Sequence, residues 1–386
     1  MRRVTCATRS LRICLRSGAA YSHPRELGQI ALADADREQL VLLALLLPDA
    51  AQITLLPMRY DSLRLGRSSV RTVFAIVCAF AATQALAQAG FPPPPPKVSP
   101  AAGVIDMHVH SHPDVFGRNM DDIDVAQLAK SKGMRGILLK NHVAETASRA
   151  ALVMKVVPGI EVWGGIVLNK AVGGINPDAV EWMHRIYGGR GKVVWLPTFE
   201  SDKHVKTLSK PDARGLVVAP GGQVTPEMEA ILKIIARENL VLATGHVHPE
   251  EIIAVVRRGR DLGVKGMLVT HGFTNVPGIT MAQAKQLAEM GAVIEVCFLQ
   301  FLAGPNAPLA FLTHWTQINA KHVAQAVKEI GANSLIVSSD LGQSGNMTHP
   351  DGLEAAIAAM KREGISEADI DLMMRKNPAR LLGLPN

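Results

Sequence analysis

The sequence predicts an α/β protein folded as a single (β/α)8 barrel, and three observations point there. Apolar, strand-like runs alternate with helical patterns with little interruption from residue 101 to the end of the chain. The runs are apolar almost throughout rather than at every second residue, as in strands covered on both faces. The 299 residues after Ala87 also have the length of a barrel with some longer loops.

The elements follow in order. Strand-like runs occupy 104–110, 135–141, 159–168, 192–199, 240–246, 265–271, 291–298 and 334–340. Helical patterns fall between most of them, at Asp122–Lys132, Glu145–Val156, Pro177–Tyr187, Pro226–Arg237, Pro249–Gly259, Met281–Met290 and Lys321–Ile330. Eight strands alternating with helices imply a parallel sheet. A doubly wound open sheet shares that order, and the chemistry-bearing residues decide against it.

The preceding segments read differently. Arg59, Arg64, Arg67 and Arg71 form a basic n-region, Val73–Ala82 an uncharged apolar core, and Ala85-Leu86-Ala87 a small-residue cleavage site before Gln88. Thr83, Gln84 and Gln88 leave the second half of this stretch too polar for an anchor, which needs ~20 predominantly apolar residues. Residues 58–87 are therefore expected to be a cleaved signal peptide, with Met58 the true start and 1–57 an upstream extension outside the fold. The expected location is periplasmic or secreted, without stable membrane insertion after cleavage. Residues 88–100 hold the polyproline run Phe91-Pro-Pro-Pro-Pro-Pro-Lys97, a stiff spacer before the folded domain at 101–386.

Charge follows the same division. The formal net charge is +7, but residues 1–87 hold 11 Arg and only 6 acidic groups, leaving 30 basic and 28 acidic groups in the remainder. A near-neutral body argues against a nucleic-acid partner. A small-molecule substrate is expected, and self-association is left open. Cys297 is the single cysteine of the body; within the apolar run 292–298 it reads as a buried small hydrophobe rather than a nucleophile.

The chemistry sits at strand ends. In Asp106-Met-His108-Val-His110, two histidines spaced by one residue share a strand face and can bind one metal ion. The runs at 240–246 and 265–271 end in His246 and His271, and 334–340 ends in Asp340. Four strands thus finish in metal-ligand residue types, where barrel active sites lie. Lys140 and His142 end the second run and share a face. His112, His248 and His349 lie in mouth loops, whereas His184, His204, His314 and His322 read as structural. No Gly-x-Ser-x-Gly elbow is present, and the glycine pairs lack the Lys-Ser/Thr of a phosphate loop.

Paired histidines on strand 1, single histidines on strands 5 and 6 and aspartate on strand 8 resemble the amidohydrolase superfamily. Asn377-Pro-Ala-Arg-Leu-Leu-Gly383 is similar to its closing helix, so the resemblance spans Gly103–Leu384. It implies that His108, His110 and Asp340 hold a divalent metal, with zinc expected, and that His246 binds the same ion or a second. It further implies a metal-activated water as nucleophile, Asp340 as its proton acceptor, and His271 as a ligand or the group polarising the scissile carbonyl. Many binuclear members carry a carboxylated lysine at the end of strand 4. That run here is Val193-Val-Trp-Leu-Pro-Thr-Phe-Glu200, so Glu200 would have to bridge, or the site is mononuclear.

The function implied is hydrolysis of an amide, lactone or ester bond in a small polar substrate. Arg118, Lys140 and Lys170 near the mouth suit an acidic one, and Lys140 could instead be carboxylated itself. His142 also fits the polymerase-and-histidinol-phosphatase type of phosphoesterase, but that pattern needs a Glu at the end of strand 3. Here the run ends Val167-Leu-Asn-Lys170, with Glu161 at its start. The same residues would serve a single-metal decarboxylase or a non-catalytic metal-binding barrel. Asp340 weighs against the non-catalytic barrel, because a pure binder needs no proton-transfer carboxylate.

Overall fold

The computed structural model describes residues 98–385, so the expected extension, signal peptide and most of the spacer lie outside the described residues. Among these residues the strands are β1 (Ile105–Val109), β2 (Gly136–Leu139), β3 (Glu161–Val167), β4 (Gly191–Trp195), β5 (Val241–Ala243), β6 (Gly266–Val269), β7 (Val293–Cys297) and β8 (Leu335–Ser338). The helices are α1 (Asp122–Ser131), α2 (Ala147–Val156), α3 (Pro177–Arg185), α4 (Asp202–Leu208), α5 (Pro226–Arg237), α6 (Pro249–Asp261), α7 (Met281–Glu289), α8 (Ala320–Ile330), α9 (His349–Arg362), α10 (Glu367–Asp371) and α11 (Asn377–Leu382). All seven expected helices are present, three starting on the proline expected to open them, where a missing N–H costs nothing.

Three further helices, α4, α9 and the five-residue α10, lie outside the expected set. The seven residues of α4 are mostly polar and carry no apolar period. α9 does carry one, burying Leu353, Ala356, Ile357 and Met360.

The strands pair in parallel in the order β1 to β8, one sheet in sequence order. Its two edges meet at the mouth: Asp340 N–H donates to the His108 carbonyl at 2.9 Å, and His110 N–H donates to the Leu341 carbonyl at 3.0 Å. The fold is therefore the expected TIM-like barrel rather than an open sheet.

Side chains sort into two layers. Ile105, Met107, Leu138, Trp163, Val193, Trp195, Val241, Leu268, Val293 and Ile336 fill the barrel interior, and Ala379, Leu381 and Leu382 of α11 pack against them from below. The opposite parity, including Leu139, Val194, Val269 and Val337, packs under the helices, and Val109 joins it although it is in phase with Ile105 and Met107. Asn377 ties α11 in place by donating to the carbonyls of Ala332 and Leu335 at 2.8 and 2.7 Å.

Strict alternation from Ile105 and Met107 would turn His108 and His110 outward. The register between β1 and β2 shifts between Asp106 and Val109, and this irregularity brings both imidazoles to the mouth. The loop that follows is braced by Asp122, which takes two Arg149 bonds at 2.7 Å and the Ser111 hydroxyl at 2.6 Å.

Gly342 packs against this rim with φ +119°, and an added Cβ would lie 1.8 Å from the His110 carbonyl oxygen. Gly342→Ala is thus expected to destabilise the barrel by about 1–3 kcal/mol from backbone strain alone. A thermal melt checks this: the midpoint should fall by several degrees.

Candidate metal centre

The centre is built from the ends of two neighbouring pairs of strands, β8 with β1 and β5 with β6. His108 lies within β1 and His110 one residue beyond it; His246, His271 and Asp340 each follow their strand by two or three residues. All five are buried. His271 and Asp340 have left-handed backbone, φ +28° and +53°, as does Gly245 before His246, at +55°. Such conformations cost a non-glycine residue free energy and cluster where a side chain must be aimed.

Asp340 is the hub. Its Oδ1 lies 3.1 Å from His108 Nε2 and 3.2 Å from His110 Nε2. The other ring nitrogens are engaged: His110 Nδ1 donates to the Lys140 carbonyl at 3.1 Å, and His108 Nδ1 donates to Glu295 Oε2 at 3.2 Å. These bonds leave two Nε2 atoms and a carboxylate oxygen facing one point, the donor arrangement of a divalent-ion site with its outer hydrogen bonds in place. Cys297 joins the set, since His108, Cys297 and Asp340 each offer a ligand atom within 4.8 Å of the others.

His246 and His271 form the second half. Their Nε2 atoms are 2.9 Å apart, and the His271 ring stacks on His108 with centroids 6.0 Å apart, so the two halves are one cluster. His204 on α4 reaches the other side of His246, Nδ1 to Nδ1 at 2.9 Å. Trp315 stands edge-on to all three rings, with centroids 5.8–6.0 Å away.

Burial and charge set the protonation states. Burial pushes His271 and His204 down to about 4, and burial together with the neighbouring His271 and His204 pushes His246 well below its ordinary value. These three are neutral imidazoles at pH 7, the form that binds metal. Burial also presses on His108, but the Asp340 and Glu295 carboxylates outweigh it and raise this group to about 9. Asp340 is held well below the carboxylate range, burial notwithstanding, by His108 and His110.

Lys140 enters the middle of the cluster. Its Nζ is 2.9 Å from His108 Nε2 and 5.5 Å above the Trp195 ring, and burial lowers its pKa. His142 stacks on His110 with centroids 4.9 Å apart and bonds the Thr198 hydroxyl through Nδ1 at 2.9 Å. Arg118 reaches to 3.4 Å from His110 Nδ1, but its charge is met by Asp114 at 2.8 Å.

The structure does not bring Glu200 to the cluster: its Oε2 accepts the Lys170 N–H at 2.6 Å on the loop after β3. Glu161 pairs with Arg190 at the start of β3, so no carboxylate from that strand reaches the mouth as the phosphoesterase pattern requires. His204, expected to be structural, lies against His246. Cys297 is buried as expected, yet its Sγ is 3.7 Å from His108 Nδ1 rather than among hydrocarbon.

Glu295 is not among the expected site residues, although the sequence carries a signal for it. A lone carboxylate inside a strand buried on both faces needs a polar partner, because unpaired burial of charge is prohibitive. Trp315 has no such signal, lying in irregular structure far along the chain.

No curated protein matches the chain. Among solved structures, a probable dipeptidase, PvdM, from Pseudomonas aeruginosa superposes with a TM-score of 0.51 at 12% identity, covering 74% of this chain and 95% of that one. A single-residue variant of the organophosphorus hydrolase from Deinococcus radiodurans gives 0.50 at 17% identity over 74% of this chain and 95% of that one. A protein described as organophosphate hydrolysis activity engineered from a weak promiscuous lactonase template gives 0.50 at 16%, over 74% and 98%. At such identities the likeness is one of fold, the eight-stranded parallel barrel. At the level of sequence, the profile described as "Family of unknown function (DUF6282)" matches residues 103–295, half of the chain, and the protein belongs to that family.

Proposed function

We propose that the protein is an exported metal-dependent hydrolase, acting on an amide, lactone or ester bond of a small polar substrate, with zinc held by His108, His110 and Asp340. The carrying observation is the convergence of His108 Nε2 and His110 Nε2 on Asp340 Oδ1, at 3.1 and 3.2 Å, with both Nδ1 atoms engaged behind them. The solved structures that share the fold are described as hydrolases, which supports the reading without specifying the substrate. With Glu200 turned to Lys170, no bridging carboxylate is apparent among the described residues, and the reading is of a single ion, with His246 and His271 beside it.

When bound, a divalent ion supplies Lewis acidity, lowering the pKa of water toward neutrality and polarising a carbonyl. Asp340 is suited to accept the proton of the attacking water. It stays ionised, and its Oδ1 is shared by two imidazoles. The same carboxyl then returns the proton to the leaving group. In this reading His271 donates to the developing oxyanion or completes the ligand set, and Lys140, its Nζ 2.9 Å from His108 Nε2, offers a buried hydrogen-bond donor for an acidic substrate group. His142 and Arg118 flank His110 on the substrate side.

Asp340→Asn should retain metal while turnover falls by about 10²–10⁴-fold, the usual cost of losing a general base. His108→Ala should lose metal and activity together. Metal content and turnover on the same preparations, with lactones, esters, cyclic amides and aromatic carboxylates as substrates, check both. Near-normal turnover of Asp340→Asn sinks the mechanism, and carbon dioxide release from the carboxylates would favour a decarboxylase instead.

Chelation should abolish turnover and added zinc restore it. Metal affinity should fall as pH is lowered, because imidazole and carboxylate ligands bind only when deprotonated. A titration of zinc binding between neutral and acidic pH reads this directly.

Export predicts a mature chain beginning at Gln88. N-terminal sequencing of the secreted or periplasmic protein tests it; a mature chain retaining residues 59–87 refutes it.

A further inference from the structure

Glu295 lies at the middle of β7, fully buried, and its Oε2 receives two hydrogen bonds from different parts of the centre. One comes from His108 Nδ1 at 3.2 Å; the other comes from the backbone N–H of His271, also at 3.2 Å. The two groups it holds arise on β1 and after β6. His271 takes this bond in a left-handed conformation, φ +28°, that a non-glycine residue does not adopt without support. Cys297, two residues along the same strand face, approaches the same His108 nitrogen at 3.7 Å but is a far weaker acceptor than a carboxylate.

We propose that Glu295 is a positioning residue of the centre: its carboxylate fixes His108 with Nδ1 protonated and Nε2 toward Asp340, and by the same oxygen pins the His271 turn. One buried side chain thereby orients an imidazole from each half of the cluster. Loss of its charge should weaken the basicity and orientation of His108 Nε2 even where the fold survives. Outer hydrogen bonds of this kind commonly change metal affinity by about 10–100-fold. The proposal rests on the reading of the cluster as a metal centre.

The test uses the full chain and zinc itself. Glu295→Gln is isosteric, and its amide oxygen can accept the same two bonds without the charge; Glu295→Asp keeps the charge on a shorter stem. Zinc affinity is measured by chelator competition, with thermal midpoints alongside. The ring nitrogens of His108 are read by nitrogen NMR of the metal-free protein, assigned with His108→Gln. The expected result is a wild type with His108 Nδ1 protonated, and a Glu295→Gln protein that melts near the wild type yet binds zinc about 10–100-fold more weakly. A wild-type His108 with unprotonated Nδ1 overturns the proposal whether or not either variant folds, as does unchanged zinc affinity in folded Glu295→Gln. If the wild type binds no divalent ion, the metal reading falls, and the NMR spectrum still judges the hold of Glu295 on His108.

Discussion

Everything at the mouth depends on how the first and last strands of the barrel meet. A single oxygen, Asp106 Oδ1, accepts the backbone N–H of His108 at 3.2 Å and of Ser339 at 2.9 Å, stitching β1 to the end of β8. Asp340 N–H then donates to the His108 carbonyl, and His110 N–H to that of Leu341. The seam that closes the barrel is thus made by the backbone of the residues whose side chains form the centre. Burial pushes the Asp106 carboxyl up to about 6 even though the bonds from Ser339 and His108 pull the other way, a measure of how far from water this stitch lies.

The second constraint is aim. A strand alternates its side chains, so a residue at the wrong parity points away from the mouth. The chain resets that parity where the histidine cluster begins: by the register shift in β1, by Gly245 before His246, and by left-handed backbone at His271. The rim is held in these conformations by its surroundings. His349 donates through Nε2 to the His110 carbonyl at 3.0 Å, and Glu295 takes the His271 N–H.

Beneath the rim lies a layer of buried charge. Lys140, Glu295, His108 and Asp340 occupy one region over the Trp195 ring, with hydrocarbon below and α11 under that. Charges taken from water are tolerable only when each meets an opposite charge or a strong hydrogen bond. His108 meets the condition, the carboxylates of Glu295 and Asp340 standing at its two ring nitrogens, whereas Lys140 packs its Nζ against His108 Nε2 and burial lowers its pKa. The apolar floor keeps water out and makes each of these interactions stronger than it would be at a surface.

The order and kind of the elements were legible in the sequence because strands buried on both faces are apolar throughout, and because helices begin at recognisable residues such as Pro177, Pro226 and Pro249. His108, His110, His246, His271 and Asp340 were legible as a set because a barrel gathers strand ends on one rim, so position in each run predicts position in space. What only the tertiary structure decided are the partnerships. Glu200 was a candidate by position in its run, yet the turn after β4 sends it to the Lys170 backbone. His204 sits on a helix too short and polar to announce itself, and reaches His246 only because Ser201 caps that helix against the rim. Glu295 was visible as a charge in an apolar strand, but that it would find both His108 and His271 is a property of the curvature that brings β7 alongside β6 and across from β1. Hydrogen bonds have a reach of about 3 Å, and sequence spacing carries no information at that scale between residues on different strands.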